Sequence, residues 1–395
     1  MPGEADTLGC GSSARAGTDR SGGSCPHGAP REASCSLSAG IREGSSSLLS
    51  SDLHYHLPPE RIAQMPADRR DESRLLVLDR RTGQRRHEQF ARLVCLLPPR
   101  ALLVLNDTRV LPARLTLRRR TGGRVQALFL RCDPEGVWEL MLTGSGRLRP
   151  GEDLLLQDSS YRLRLRARRD AGVWAAVPEP PVEPGELLSQ YGRTPLPPYI
   201  ARDATTSAEQ AAADVERYQT IYARSGGAIA APTAGLHFTP EVFASLQTVG
   251  IETAYVTLHV GVGTFAPIRC EDLRDHVMHA EWYDLPAPTA AMVNAARAVG
   301  RPIIAVGTTS TRVLESCADE AGRVTAGTGW TRLFIYPPYR FRTVDGMLTN
   351  FHLPGSTLLA MIFALAGREA VLAAYNEAIA REYRFYSYGD AMLIV

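Results

Sequence analysis

An α/β fold, with a mostly parallel sheet, helices on both faces and a small all-β barrel interrupting it, is what this 395-residue sequence predicts. Two observations carry the prediction. From about Pro198 to the C-terminus, helical periodicity alternates with short apolar runs, the rhythm of a parallel sheet wrapped by its crossover helices. Before that, from Arg114 to about Val177, short runs of alternating polar and apolar residues are separated by Gly and Pro turns, the signature of a small barrel.

Taken in order, Met1 to Ser51 holds 21 Ser or Gly residues, four arginines and five acids. So little apolar surface does not offset the entropy of ordering, and residues 1–51 read as a disordered extension. Structure is expected from near Leu53. Leu57–Gln64 reads as a loop leading into a short helix, and Leu75–Leu78 and Leu102–Leu105 as strands. The barrel strands are Leu115–Arg119, Val125–Phe129, Trp138–Leu142 and Tyr161–Arg166. A Pro-rich linker follows (Pro178–Pro184, then Pro195–Pro198). Ser207 and Gln210 form a capping box that opens a helix to about Ala223, and Ala228–Ala231 is a strand. Thr239 caps a helix with Pro240 in its first position, which Gly250 ends. Strands at Ile251–Val260 and Pro302–Val306 then alternate with helices at Thr289–Val299 and Ser310–Glu320. Leu333–Tyr336 reads as a strand, Ser356–Leu365 and Glu369–Tyr383 as helices, and Met392–Val395 as the last strand. The expected division is an extension of residues 1–51, a catalytic α/β domain of 52–113 with 185–395, and a barrel with its linker at 114–184.

Composition narrows the chemistry. The chain contains no lysine, so all 44 basic residues are arginine. Schiff-base lysines, pyridoxal-phosphate chemistry and a Walker A loop are thereby excluded, because each needs a lysine amine. The net charge is +2, so any nucleic-acid binding must come from local patches. Between Arg114 and Arg169 there are 13 Arg against 6 Asp or Glu. That surplus is either solvated strand faces or a surface for phosphates, which guanidinium groups pair bidentately. Seven dispersed cysteines without CxxC spacing suit reduced thiols and a cytoplasmic location. No run of 18 apolar residues predicts a membrane span, and the N-terminus lacks a secretory h-region.

In open α/β sheets, ligands bind beyond the carboxyl ends of the strands. Four polar, Gly-containing turns fall there: Ala231–Phe238, Leu258–Phe265, Val306–Arg312 and Leu348–Thr357. Glycine lets backbone amides approach a ligand, and four such loops in one domain point to a site. Gly261-Val-Gly263 fails as a dinucleotide fingerprint, since Thr264-Phe-Ala-Pro-Ile268 does not open a helix. His276, His279 and Glu281 offer three metal ligands in sequence but lack the helical spacing of a catalytic zinc site, and no metal is expected.

At these loops the sequence closely resembles the S-adenosylmethionine:tRNA ribosyltransferase-isomerase family. The matching blocks are Leu105–Arg114, Gly192–Ile200, Tyr218–Ala223, Ala230–Phe238, Val256–Phe265, Asp275–Glu281, Ala305–Arg312, Leu348–Thr357 and Arg384–Met392. The resemblance runs from Leu57 to the C-terminus and implies an α/β domain interrupted by a small barrel. It implies S-adenosylmethionine as a ribosyl donor and co-substrate, and as acceptor the 7-aminomethyl-7-deazaguanine base at the tRNA wobble position. The products would be epoxyqueuosine-tRNA, adenine and methionine, with no bound cofactor or metal. A cytoplasmic monomer is expected, with tRNA and S-adenosylmethionine as partners and no membrane association.

The residues suit that chemistry. A sulfonium acidifies the hydrogens on the ribose carbon beside it, so a positioned base can start the rearrangement. Histidine is the default base near neutral pH. His237 is the first candidate and His259 the second, with Asp107 and His352 next. Thr233, Gly235, Thr308, Thr309, Arg312, Asn350 and His352 are assigned to S-adenosylmethionine, Arg312 holding the methionine carboxylate. Asp107 and Arg109, beside Asn106, are assigned to the base, and Arg118, Arg119 and Arg120 to tRNA phosphates. Two rivals remain: an S-adenosylmethionine-dependent RNA methyltransferase, disfavoured by the missing glycine fingerprint, and a non-catalytic RNA-binding protein, which leaves the four loops unexplained.

Overall fold

The computed structural model describes residues 49–144, 148–169, 172–202, 207–261, 263 and 268–395. The extension expected at 1–51 lies outside them up to residue 48, as do the loop residues 264–267. The described residues include secondary structure before Leu53, where the composition first suggests it. Leu49 bridges to Asp272, and Ser50–Leu53 form a 3-10 turn that buries Leu53.

The chain opens with β1 (Arg74–Leu78), β2 (Arg85–Gln89), β3 (Leu102–Asn106) and β4 (Thr108–Val110). A six-stranded closed barrel follows, made of β5 (Arg114–Arg119), β6 (Arg124–Cys132), β7 (Trp138–Thr143), β8 (Asp153–Leu156), β9 (Arg162–Arg168) and β10 (Val173–Glu179). Next come α1 (Pro184–Tyr191), α2 (Ala208–Arg217), β11 (Ser225–Ala228), α3 (Pro240–Thr248), β12 (Glu252–Leu258), β13 (Glu281–Leu285) and α4 (Ala287–Ala298). The chain ends with β14 (Ile303–Val306), α5 (Gly307–Cys317), β15 (Gly327–Thr331), β16 (Gly346–Asn350), α6 (Thr357–Ala366), α7 (Arg368–Ala380) and β17 (Ala391–Ile394).

The large sheet runs β15-β13-β12-β3-β14-β16-β17-β1-β2. It is mixed rather than mostly parallel. Four of its contacts are parallel (β12–β3, β3–β14, β14–β16, β17–β1) and four antiparallel (β15–β13, β13–β12, β16–β17, β1–β2). Three of the four antiparallel contacts involve strands whose residues do not read as such, and the fourth joins β16 to the C-terminal strand β17. Arg85–Gln89 is wholly polar, Gly327–Thr331 is glycine-rich, and Glu281–Leu285 follows directly on the His/Glu motif. Leu333–Tyr336, read as a strand from its apolar run, is irregular.

Helices do cover both faces. One face carries Leu76, Leu78, Met347, Met392 and Ile394 under α6 and α7, and Leu102, Val104, Ile303 and Ala305 under α4 and α5. The opposite face carries Leu75, Val77, Leu103, Leu105, Ile304 and Leu348 under α3 and the turn Phe90–Cys95. The strict alternation along each strand is the period of two at work. The barrel has its own core around the fully buried Trp138, and Leu187 and Leu188 of α1 pack into it. A boundary drawn after residue 184 therefore falls inside α1, whose apolar side belongs to the barrel.

Local rules hold at several helix starts. Ser207 Oγ accepts from Gln210 N (3.1 Å) at the start of α2, and Thr239 Oγ1 from Val242 N (3.3 Å) at the start of α3. α2 stops at Arg217, short of Ala223, and the next residue, Tyr218, is fully buried with its ring edge-on to Tyr388. Among the described residues no single helix is long and apolar enough to cross a membrane.

Candidate active site

Four strand ends open onto one cavity. Its walls are Ala231–Ala234 after β11, Val260 after β12, Gly307–Thr309 at the start of α5, and the segment from Thr349 to Ser356 with Leu358, after β16. Tyr199, Tyr386 and Ser387 complete it. All four loops singled out from the sequence thus contribute.

The most telling wall is the start of α5. Helix and strand join with no intervening loop, a reversal that Gly307 allows at φ +88°. Val306 provides no side-chain cap, and Ser310 Oγ and Thr311 Oγ1 bond backward to Val306 O (2.9 Å) and Gly307 O (3.2 Å). The first amides of α5 therefore lack the side-chain partner that caps α2, α3 and α6, and an uncapped helix start favours an anionic group. Thr309 Oγ1 and Asn350 Oδ1, both on cavity-lining residues, are buried without a hydrogen-bond partner among the described residues. Buried polar atoms are rarely left unpaired, and ligand contacts would satisfy both.

Asn350 links this cavity to His237. Its amide nitrogen donates to Tyr386 O and to His237 Nε2, each at 3.2 Å. Nε2 is thus an acceptor, and the proton sits on Nδ1, which donates to Ser73 Oγ at 2.7 Å. The ring lies against Phe90 with centroids 5.1 Å apart, and burial lowers its pKa to about 3. His237 does not line the cavity. It borders a smaller cleft with Arg70, Arg217 and Arg384. With both nitrogens engaged and its basicity suppressed, it is poorly suited to the role of general base for which it was the first candidate.

His352 does line the cavity. Its Nε2 contacts Thr349 Oγ1 at 2.8 Å, its backbone N–H donates to the Tyr375 hydroxyl oxygen (3.1 Å), and burial lowers its pKa to about 3. Thr233, Thr308, Thr309 and Asn350 also line it.

Gly235 and Arg312 do not. A Cβ on Gly235 would fall 2.0 Å from the Tyr222 hydroxyl, so this glycine makes room for Tyr222 rather than for a ligand. Arg312 points into the protein. Its guanidinium pairs with the Glu281 carboxylate and donates to Leu333 O (3.1 Å) and Thr331 O (3.4 Å). Glu281 also accepts from Gly261 N at 3.0 Å. Arg312 thus ties α5 to β13, β15 and the glycine loop, and it is not available for a methionine carboxylate. The same pair removes Glu281 from any metal set. Among the described residues no group of three or more His, Cys, Asp or Glu is placed to hold a metal. Gly263 serves packing, since a Cβ there would fall 2.4 Å from His279.

Beside the cavity, one residue before Val260, lies a second polar cluster. Asn106 holds β12 in register, donating to Leu258 O and accepting from Leu258 N, both at 3.0 Å. This places Asp107, which accepts from Thr257 Oγ1 (2.7 Å) and whose pKa burial raises. It also places Thr108, whose Oγ1 lies 2.8 Å from His259 Nδ1. The imidazole stacks on Trp282 with centroids 4.8 Å apart and planes at 21°, and burial lowers its pKa. A Cβ on Gly227 would sit 2.5 Å from His259 Nε2, so glycine is required there. His259 Nε2 has no hydrogen-bond partner among the described residues, unlike either nitrogen of His237.

Arg109 is exposed on β4. Of the three adjacent barrel arginines, Arg119 pairs with Glu152 and Arg120 with Asp153 (2.8 Å), while Arg118 is exposed with no ion pair among the described residues. Arg131, Arg162, Arg164 and Arg169 are paired with barrel carboxylates as well. These arginines are therefore held in ion pairs within the barrel, while the excess of Arg over Asp and Glu in the segment remains.

Sequence reasoning missed Tyr199 and Tyr386, whose rings meet edge-on at 4.0 Å in the cavity wall. Tyr386 has φ +78°, a left-handed backbone that a bulky residue rarely adopts. Such strain concentrates at functional sites. The available signal was two tyrosines flanking a serine just before Gly389, inside a block that matched the family but was given no role.

Residues 50–394 match a family model described as queuosine biosynthesis protein. The chain is 48% identical over 356 residues to the S-adenosylmethionine:tRNA ribosyltransferase-isomerase of Syntrophotalea carbinolica, covering 87% of this chain and 99% of that one. It is 46% identical over 360 residues to the enzyme of that name from Trichlorobacter lovleyi, covering 88% and 100%. A crystal structure of S-adenosylmethionine tRNA ribosyltransferase from Thermotoga maritima is 34% identical, covering 87% of this chain and 100% of that one, with a TM-score of 0.48. By its match along almost the whole described length, this chain belongs to the S-adenosylmethionine:tRNA ribosyltransferase-isomerase family of queuosine biosynthesis proteins.

Proposed function

We propose that this protein transfers and isomerises the ribosyl moiety of S-adenosylmethionine onto the 7-aminomethyl-7-deazaguanine base at the wobble position of tRNA. Epoxyqueuosine-tRNA is formed, and adenine and methionine leave. The observation that carries this, beyond the family match, is the cavity at the strand ends, whose walls hold unpartnered Thr309 Oγ1 and Asn350 Oδ1 beside the uncapped start of α5.

In this reading the methionine carboxylate takes the amides of Thr308 and Thr309 at the start of α5, the role first given to Arg312. Thr233, Asn350 and His352 offer polar contacts to the ribose and adenine, with Tyr199 and Tyr386 as apolar walls. His259 is the general base for the ribose C–H beside the sulfonium. Its Nδ1 is held by Thr108, its Nε2 is without a partner among the described residues, and burial favours its neutral form. Asp107 and Arg109, next to it, contact the acceptor base. The α/β part at 52–113 and 185–395 carries the chemistry, the barrel at 114–184 contributes tRNA contacts through Arg118, and the protein works as a cytoplasmic monomer. The methyltransferase reading lacks a supporting observation.

Nucleoside digestion of reacted tRNA tests the proposal. A nucleoside heavier than the aminomethyl-deazaguanine precursor by the added ribosyl-derived unit is expected. tRNA with unmodified guanine should stay unchanged, since it lacks the nucleophilic amine. A product heavier by one methyl group would contradict the proposal.

A further inference from the structure

We infer that Trp330, with Trp282 and His259, forms a stacking platform for unpaired bases of the tRNA anticodon loop. The inference rests on the tRNA reading above. β13 and β15 pair antiparallel with Trp282 directly opposite Trp330. His259 stacks on Trp282 from the other side of β13, and its amide bonds to Trp282 O at 2.9 Å. The three residues therefore lie in register across neighbouring strands, with the His259 and Trp282 rings stacked. The inner end is one residue from Val260 in the cavity wall. The outer end is Trp330, on the edge strand of the sheet and 57% exposed.

A large indole is rarely left this open without a partner. The continuity of the row with the cavity selects the occupant. The base to be modified must leave its stack to reach the cavity, and its neighbours in the loop then need new faces to lie on. Aromatic side chains supply such faces for single-stranded RNA with little regard to sequence. Arg332, two residues beyond Trp330, is exposed with no ion pair among the described residues and supplies positive charge for the backbone.

The test uses Trp330→Ala and Trp330→Phe in the full chain, with an anticodon stem-loop and a blunt RNA duplex of equal length as probes. Trp330→Ala is expected to weaken stem-loop binding about 10-fold. Trp330→Phe should restore most of that loss, duplex binding should stay within two-fold, and S-adenosylmethionine affinity and melting temperature should not move. Quenching of the indole emission by the stem-loop should be smaller in Trp330→Ala than in wild type. Equal stem-loop affinity of wild type and Trp330→Ala, with wild type turning tRNA over, overturns the platform alone. So does a self-association that Trp330→Ala abolishes while RNA binding persists, because the ring then serves a second copy of the chain. Wild-type protein that binds no RNA overturns the tRNA reading and the platform together.

Discussion

Thr108 Oγ1 lies 2.8 Å from Nδ1 of His259, and this contact fixes the imidazole with its Nε2 free of any partner among the described residues. The ring is half-buried and its pKa is lowered by that burial, so it is unprotonated and able to accept a proton at neutral pH. Replacing His259 with Gln should lower turnover by at least about 100-fold, the usual contribution of a positioned base. S-adenosylmethionine binding should be kept, as measured by calorimetry. Near-normal turnover in this variant would pass the role to Asp107 or His352.

His237→Gln should behave differently. Its ring is enclosed by Ser73, Asn350 and Phe90, so the change should cost stability before chemistry. Thermal melts should show a clear drop, while turnover per folded molecule falls less than in His259→Gln. A larger loss of turnover than that variant suffers, with an unchanged melt, would restore His237 as the base.

The buried histidines also set an acid limit. His237 and His352 have pKa values of about 3 in the folded chain, against about 6.5 for an exposed imidazole. Between those values the unfolded chain binds protons that the folded chain does not. Stability is therefore fully present above pH 6.5 and declines as the pH falls through that window toward 3. The slope is at most about 1.4 kcal/mol per pH unit for each histidine. Denaturant melts from pH 7.5 to 4.5 should show the decline, and it should be shallower in His352→Gln. A flat profile would show that these rings are not buried neutral.

Arg312→Ala leaves the Glu281 carboxylate buried without its cation, a loss of about 3–5 kcal/mol in comparable sites. The expected result is a large fall in melting temperature. Affinity for S-adenosylmethionine, measured where the variant is still folded, should change little. A stable variant with strongly weakened S-adenosylmethionine binding would return Arg312 to the carboxylate.

Among the barrel arginines, Arg118→Ala should flatten the salt dependence of tRNA affinity by roughly 0.7 to 0.9 in log–log slope. Arg119→Ala and Arg120→Ala should change it less, because Glu152 and Asp153 already neutralise those charges. Equal slopes for all three variants and wild type would place the tRNA footprint off this strand.

These predictions mark where the sequence was legible. The loops were, because polar residues beside glycine at strand ends have few uses other than a site, and all four reached one cavity. The barrel was, because its runs alternate strictly, although β8 and β10 escaped notice. The direction of the sheet was not, since β2 and β15 have compositions set by their edge positions rather than by a core, and β13 is a half-polar run directly after the His/Glu motif. Nor was the fate of Arg312. Its place at the start of a helix next to four hydroxyl residues reads as a ligand pocket, and only the approach of Glu281 from β13 shows it is an internal strut. The same limit separates His237 from His259. Both follow glycine-containing or polar strand ends, and what distinguishes them is whether Ser73 and Asn350, distant in sequence, close over the ring.

The central claim is that S-adenosylmethionine donates its ribosyl unit here. The direct measurement is chromatographic quantification of adenine, methionine and S-adenosylhomocysteine released per modified tRNA. Adenine and methionine in equal amounts, one of each for every tRNA converted, is the expected result. S-adenosylhomocysteine in place of adenine would mean methyl transfer and would contradict the account.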